Sequence, residues 1–299
     1  MAYTAERPGG ILRLNRLHRF CVIALALADR PVWAETISLV AARDNTLYQS
    51  TSGALSNGAG QHLFVGRTAQ ANSLSRRRAL LKFDVAGEIA AGSVIQSATL
   101  TLHMSRTATA SVLIDVHRAF ADWGEGASDA PLQEGAGAAA APGDATWLHT
   151  FSNTTSWATS GGDFDPTPLA SSNVVGIGFY EWTSSAITAD VQAWLDNPAS
   201  NHGWILLGFE TLPQTAKRFD SREHANAAWR PTLTVEFSSP AAPVASLGFL
   251  AFQGVALGAV GVLIAKNKLS QGQKSFEKKA VGGNKGCGRP FSLARGYRA

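Results

Sequence analysis

Residues 76–104 read RRRALLKFDVAGEIAAGSVIQSATLTLHM, and residues 218–237 read RFDSREHANAAWRPTLTVEF. Each stretch ends in a run in which apolar side chains alternate with mostly polar ones. The apolar members of the two runs are Leu100, Leu102, Met104, Leu233, Val235 and Phe237. Because successive side chains of a strand point to opposite faces, this alternation predicts half-buried β-strands. We expect the first and last strands of one β-domain in or near these two stretches.

Further strands and one helix are predicted between the two stretches. Short alternating or apolar runs, separated by segments rich in turn-forming residues, occupy 111–120, 174–182 and 204–210. Many short strands of this kind predict an all-β domain, an antiparallel jelly-roll β-sandwich. In residues 188–195, by contrast, Val191, Trp194 and Leu195 repeat at helical spacing. That segment predicts one short helix that caps the sandwich.

The charge of the chain is unevenly distributed. The formal net charge is +4, but residues 1–34 and 265–299 together hold 14 of the 26 basic and only 3 of the 22 acidic side chains. Residues 35–264 therefore carry 12 basic and 19 acidic residues. An acidic central region argues against a nucleic-acid partner. The two cysteines, Cys21 and Cys287, lie outside it, which excludes a disulfide or a thiolate nucleophile there.

Residues 1–34 have the pattern of a secretory signal peptide. Three arginines and a histidine precede a nine-residue apolar run, and the segment closes on Val32-Trp33-Ala34, with small residues at the positions required for cleavage. The alternative is a buried amphipathic helix. Nine apolar residues are too few to cross a bilayer. We therefore predict export, with cleavage after Ala34 and a mature domain over residues 35–238.

Residues 244–265 predict a C-terminal transmembrane helix. This segment is apolar or small throughout except for Ser246 and Gln253, and it follows a hinge at residues 239–243. Twenty-two residues suffice to cross the hydrocarbon of a bilayer. Residues 266–299 are rich in Gly and Lys and predict a basic disordered tail. The arrangement resembles a PEP-CTERM sorting tail, although the Pro-Glu-Pro signature is absent and the basic tail is longer.

The central region resembles a DNRLRE domain from about residue 37 to residue 237. Six pieces carry the likeness in order, and they are RRALLKFD at 77–84, ATLTL at 98–102, ADWGEG at 121–126, TADVQAWL at 188–195, GWILL at 203–207 and FDSRE at 219–223. The resemblance implies a jelly-roll β-sandwich, found alone on bacterial surfaces or attached to polysaccharide-degrading enzymes. Some relatives are carbohydrate-binding modules, with acidic polysaccharides such as alginate among their ligands. An Ala-Gly-rich insertion after Gly126 departs from the family pattern.

Three aromatic residues are candidates for a sugar-binding platform. Tyr180 and Trp182 share one face of the strand predicted at 174–182 with two glycines, and Trp157 lies in a nearby loop. Exposed aromatic rings would stack on the apolar faces of sugar rings. The alternative is that these rings pack beneath the neighbouring loop and bury a large apolar area.

The charged residues of the signature segments have structural and functional interpretations. Guanidinium groups at residues 76–78 suit the carboxylates of acidic sugars, but we favour an ion pair with Asp220 or Glu223. Asp44 is predicted to cap a turn. A structural calcium held there by Asp44 and backbone oxygens is the alternative, and we predict no cofactor.

The sequence does not indicate an enzyme. Its histidines are scattered, and neither a Gly-x-Ser-x-Gly elbow nor a His-Glu-x-x-His helix occurs. We therefore expect a non-catalytic module that is exported, tethered to the membrane of a bacterial cell surface and bound to extracellular polysaccharide. The alternatives are a structural or adhesive surface protein, which buried Tyr180 and Trp182 would favour, and a polysaccharide-active enzyme, which two converging carboxylates in a cleft would favour.

Overall fold

The computed structural model describes residues 34–69 and 74–240. The predicted signal peptide, apart from its last residue, lies outside the described residues. The predicted transmembrane helix at 244–265 and the tail at 266–299 also lie outside them. Within the described ranges, none of the helices combines the length and the apolar character needed to cross a membrane.

The described chain is built mainly of β-strands. In chain order they are β1 (Ala34–Val40), β2 (Arg43–Tyr48), β3 (Leu55–Ser56), β4 (His62–Arg67), β5 (Arg76–Lys82), β6 (Val94–Thr107), β7 (Val112–Arg118), β8 (Ala138–Ala139), β9 (His149–Phe151), β10 (Thr155–Ser156), β11 (Ala170–Val174), β12 (Gly178–Thr183), β13 (Trp204–Leu207), β14 (Lys217–Asp220) and β15 (Thr232–Ser238). The helices are α1 (Val85–Glu88), of one turn, and α2 (Ser185–Asp196), and two 3-10 turns occupy Pro198–Ser200 and Ala227–Trp229.

Eleven of these strands form one curled sheet, and every pairing in it is antiparallel. Its strand order is β1-β15-β6-β14-β4-β5-β13-β7-β11, with β12 added to β6 and β2 added to β5. Strand β4 pairs with β14 on one side and with β5 on the other, so it joins the two halves of the sheet. The all-β, antiparallel expectation is confirmed.

The two alternating runs of the sequence form neighbouring strands. Leu233 of β15 pairs with Leu100 of β6, and the apolar side chains of the two alternating runs are buried while their threonines are more exposed. The second run is indeed the last strand of the sheet. The first run is not the first strand, because β1 begins at Ala34 and pairs with β15 along its whole length, as far as Ser238. Local alternation identifies a strand but does not show how many strands precede it in the chain.

One apolar core lies between the two halves of the curled sheet. Its fully buried members include Leu63, Leu100 and Leu233 from one half and Leu81 and Trp204 from the other. Both halves therefore bury their inner faces in the same apolar cluster. Burial of this apolar surface is the main contribution to the stability of a domain of this size. A second cluster, under the loops between β7 and β11, gathers Leu47, Leu80, Trp123, Ala145, Trp147, Trp157 and Ile205.

The helix predicted at residues 188–195 is present as α2. Ser184 caps it, since its Oγ accepts a hydrogen bond from the backbone N–H of Ile187 at 3.0 Å. Val191, Trp194 and Leu195 are buried, as their spacing predicts. The helix packs on β6 and contributes its apolar face to the main core.

Candidate functional site

The predicted aromatic platform is wrong, because two of its three rings are buried and the third is half-buried. Trp182 is fully buried, and its Nε1 donates a hydrogen bond to the Ile114 carbonyl at 2.8 Å. Trp157 is also buried, with its Nε1 donating to the Thr146 carbonyl at 2.9 Å. Buried rings bonded in this way cannot stack on a sugar.

The register of β12 explains why this face turns inward. Trp182 pairs with Leu100 and Tyr180 with Leu102, and both leucines point into the core. Tyr180 is half-buried, and its hydroxyl donates to the Gly176 carbonyl at 2.7 Å and accepts from the Val175 N–H at 3.0 Å. The single strand predicted at 174–182 is wrong, because β11 ends at Val174 and β12 begins at Gly178. Within β12 the predicted alternation is right, but the face chosen as the exposed one is the inner face.

The exposed aromatic rings lie on the opposite face of the same sheet. Phe179 is 56% exposed, and its ring centroid lies 4.8 Å from that of His103. Trp229 is 37% exposed, and its ring stacks on that of His103 with the centroids 4.6 Å apart. The sequence contained a signal for Phe179, because alternation separates it from Tyr180 and Trp182. Trp229 ends a three-residue 3-10 turn, which is too short for a periodicity that could assign its orientation.

The arginines at residues 76–78 have other partners than those predicted. Arg78 forms a two-pronged ion pair with Glu210, at 2.7 and 2.8 Å. Arg77 is buried, with its guanidinium 4.7 Å from the ring centroid of Tyr48 and its Nε donating to the Gly135 carbonyl. Alternation does send Arg77 to the face opposite its neighbours, but the expected pairs with Asp220 or Glu223 are wrong.

A basic groove crosses the outer face of the sheet where β4, β14 and β6 lie side by side. Its volume is about 360 Å³. Its lining includes three guanidinium groups, one aromatic ring and one amide, from Arg67, Arg106, Arg218, Phe64 and Gln133. Arg218 pairs with Phe64 on one neighbouring strand and with Arg106 on the other, so the sheet itself sets the spacing of the charges.

The charges of this basic groove are not neutralised within the described part of the chain. Gln133 Oε1 accepts from Arg106 Nη1 at 2.5 Å and from Arg218 Nη1 at 2.8 Å, and Arg67 donates to the Thr211 carbonyl. No carboxylate oxygen among the described residues lies within 4.0 Å of these three guanidinium groups. Burial lowers the pKa of Arg218 and the charge of Arg106 acts in the same direction, whereas the charges of Asp220 and Glu134 oppose this shift. Both arginines nevertheless stay cationic at neutral pH.

A cluster of histidines and one aspartate adjoins the basic groove. Asp220 follows Arg218 on the same face of β14, and its register partner on β4 is His62. His103 Nδ1 lies 2.6 Å from Asp220 Oδ2. Asp220 Oδ1 lies 3.6 Å from His62 Nε2 and 3.7 Å from His224 Nε2. The sequence showed only scattered histidines, because these residues converge through the β4-β14-β6 pairing and the loop that follows β14.

A second cluster contains only carboxylates. Asp44 lies in β2, so the predicted turn cap is wrong, and it meets Glu125 and Glu223 with one oxygen of each within 4.8 Å of the others. Arg222 bridges this group through Nη1, at 2.8 Å from Glu125 Oε2 and 2.9 Å from Glu223 Oε1. Burial raises the pKa of Asp44 well above its usual range, and the charge of Glu223 adds to the effect. A hard cation such as Ca²⁺ suits three carboxylates, but Arg222 already supplies positive charge.

Comparisons with known proteins do not assign a family. A scan against models of known protein families finds no match to this chain, and a search of curated proteins also finds none.

Proposed function

We propose that this chain is a non-catalytic, polysaccharide-binding surface protein of a bacterium, exported and held at the membrane by residues 244–265. Its domain would be a jelly-roll β-sandwich of the DNRLRE type. Its ligand would be an extracellular polysaccharide that carries carboxylates. The basic groove is the observation that supports this proposal.

The groove has the charge pattern expected for uronic acid units. Arg106 and Arg218 come from adjacent strands, and each guanidinium offers a planar pair of donors to a carboxylate. Gln133 accepts from both of them, and a sugar carboxylate would replace this neutral acceptor with a charged one. The charge of the groove is local, since residues 35–264 as a whole are acidic. A site for an anion in an acidic domain favours a specific role over general adhesion to anionic polymers.

The exposed aromatic rings extend the same face. Arg218 and Asp220 are two residues apart on β14, about 7 Å at the rise of a strand. Phe179 and Trp229 flank His103, whose Nδ1 contacts Asp220, so these rings lie beyond the groove on the same outer face. A chain of sugar rings lying along the sheet would therefore meet cations first and aromatic rings next. This arrangement replaces the platform that was expected at Trp157, Tyr180 and Trp182.

Affinity electrophoresis of the full-length protein tests the proposal. Gels would contain a polyuronate such as alginate or polygalacturonate, or a neutral glucan of similar size. We expect retardation by at least one polyuronate and its loss in the double variant Arg106→Gln, Arg218→Gln. Arg43→Gln is the charge-changing control, since Arg43 lies on β2 in the other half of the sheet. Equal retardation of the double variant and the wild type would refute the proposed groove.

A structural or adhesive role is the second candidate, and a specific observation favours it. Trp182 is buried and Tyr180 is half-buried, as expected for a rigid spacer whose aromatic residues serve the core. Such a protein would show no retardation by any polysaccharide in the same gels while remaining folded. The unpaired charges of the groove are what lead us to prefer the binding role.

A further inference from the structure

We propose that His62, Asp220 and His224 bind a divalent transition-metal cation of the Zn²⁺ class. One ligand atom from each of the three residues lies within 4.8 Å of the other two. Two imidazole nitrogens and one carboxylate oxygen form a common set of zinc ligands. This inference does not depend on polysaccharide binding.

The distances between the Asp220 oxygen and the two imidazole nitrogens fit joint coordination of one ion better than direct hydrogen bonds. Asp220 Oδ1 is 3.6 Å from His62 Nε2 and 3.7 Å from His224 Nε2, and both separations exceed a normal N–H···O hydrogen bond. Two ligand atoms that bind one tetrahedral zinc at about 2.0–2.1 Å are separated by about 3.3 Å. Each nitrogen would have to move a few tenths of an ångström toward the carboxylate oxygen, and the two nitrogens, which lie within 4.8 Å of each other, would also have to approach.

Asp220 supplies the observation that points to a cation-binding role. Its side chain is fully buried, and Oδ1 has no hydrogen-bond partner among the described residues. The other oxygen, Oδ2, is held by His103 Nδ1 at 2.6 Å, which fixes the direction in which Oδ1 points. A buried carboxylate oxygen without a partner is costly, by about 1–3 kcal/mol or more. A cation between Oδ1 and the two imidazole rings would remove this cost.

His62 is oriented by a further carboxylate. Its Nδ1 lies 3.1 Å from Glu134 Oε1, within ion-pair distance although not aligned as a hydrogen bond. The other carboxylate oxygen of Glu134 accepts from the His62 backbone N–H at 2.8 Å and from Asn57 Nδ2 at 3.0 Å. A carboxylate behind one imidazole nitrogen fixes the ring and leaves the other nitrogen to bind a metal.

The ligand types select the metal. Ca²⁺ and Mg²⁺ prefer an all-oxygen shell, whereas imidazole nitrogen suits Zn²⁺ and its first-row neighbours. The Asp44 cluster is the weaker candidate, because Arg222 already bonds to Glu125 and Glu223 within it. Three protein ligands leave at least one coordination position for water or a ligand group. His62 and His224 each remain 14% exposed, so the position can be reached from the outer face of the sheet.

Metal retention by the full-length protein tests this proposal. The protein would be stripped with a chelator, incubated with Zn²⁺, desalted and analysed for bound metal. We expect about one equivalent in the wild type, with affinity at least tenfold weaker in His62→Gln and in His224→Gln. Glu134→Gln should weaken binding by about 10- to 100-fold, as expected for a residue that orients a ligand. His149→Gln, which alters a histidine on β9 outside the cluster, should retain the wild-type affinity.

Co²⁺ gives a second readout that does not depend on the folding of any variant. Co²⁺ bound by two imidazole nitrogens and a carboxylate in a four-coordinate site absorbs visible light strongly, and added Zn²⁺ should abolish that absorption. The proposal would be overturned by a wild-type protein that retains no metal. Equal retention by His62→Gln, His224→Gln and the wild type would also overturn it, by placing the metal elsewhere.

Discussion

Replacing Trp182 by alanine tests whether this side chain belongs to the core or to a binding surface. The Trp182 side chain is fully buried, its Nε1 donates to the Ile114 carbonyl at 2.8 Å, and its ring contacts that of Phe219 edge-on. A tryptophan buries about 200 Å², which at about 25 cal/mol per Å² corresponds to about 5 kcal/mol. Alanine retains a small part of that area, and measured losses for such substitutions are about 3–5 kcal/mol. We expect Trp182→Ala to lower the free energy of unfolding by about 4 kcal/mol.

Thermal unfolding followed by far-ultraviolet circular dichroism measures this loss without relying on tryptophan fluorescence. For a domain of this size, about 4 kcal/mol corresponds to a decrease in Tm of about 8–16 °C. Phe179→Ala is the matched control, since Phe179 lies three residues away on the same strand with 56% of its surface exposed. We expect that variant to stay within about 1 kcal/mol of the wild type. A Trp182→Ala protein with an unchanged Tm would refute the inward orientation of this face.

Three further substitutions test the described structure. The raised pKa of Asp44 makes the native state hold a proton that the unfolded state releases, so the wild-type free energy of unfolding should fall between about pH 5 and about pH 8. Asp44→Asn should reduce this fall, as measured by urea unfolding at both pH values with a chelator present. An equal fall in the variant and the wild type would contradict the prediction. Asp190→Ala should lower the free energy of unfolding by about 3 kcal/mol, because it removes the carboxylate that accepts a hydrogen bond from the buried Trp204 Nε1–H at 3.0 Å. A variant as stable in urea as the wild type would argue against that bond. Gly203→Ala should lower the free energy of unfolding by at least about 2 kcal/mol, since Gly203 has φ +77° and a Cβ there would lie 2.2 Å from the Leu81 carbonyl oxygen. The expected decrease in Tm is about 4 °C or more, and a Tm within about 2 °C of the wild type would exclude this clash.

The strands and the helix were accessible to sequence reasoning because their patterns are local. Leu100 and Leu102 alternate with threonines, and both leucines are buried in β6. Val191 and Trp194 have helical spacing, and both are buried on α2. In each case the pattern needs only the period of one element and no knowledge of its neighbours.

The inner face of β12 was not accessible in the same way. Both faces of that strand carry large apolar residues, with Phe179 on one and Trp182 on the other. Alternation separates the two sets but gives no sign of which set meets the core. The register with Leu100 on β6 decides the question, and that register depends on the whole sheet.

The candidate metal site could not be predicted from the sequence, for a related reason. Asp220 lies 158 positions after His62, and only the antiparallel β4-β14 pair brings them together. His224 follows Asp220 by four residues, a spacing that suggests a helix face, yet the segment after β14 is irregular. A spacing rule for metal ligands would therefore have missed the site, since its ligands combine a long-range strand pair with a local loop.

The position of β15 has a consequence for the biosynthesis of this protein. Among the described residues, the last strand to be synthesised lies between β1 and β6, and Ala34 of β1 pairs with Ser238 of β15. A nascent chain that ends before Thr232 leaves the hydrogen-bonding edges of both neighbours open. Such edges recruit other strands and aggregate. The ribosome must therefore release almost the whole domain before the sheet can close, and a chaperone that holds the emerging chain would protect those two edges.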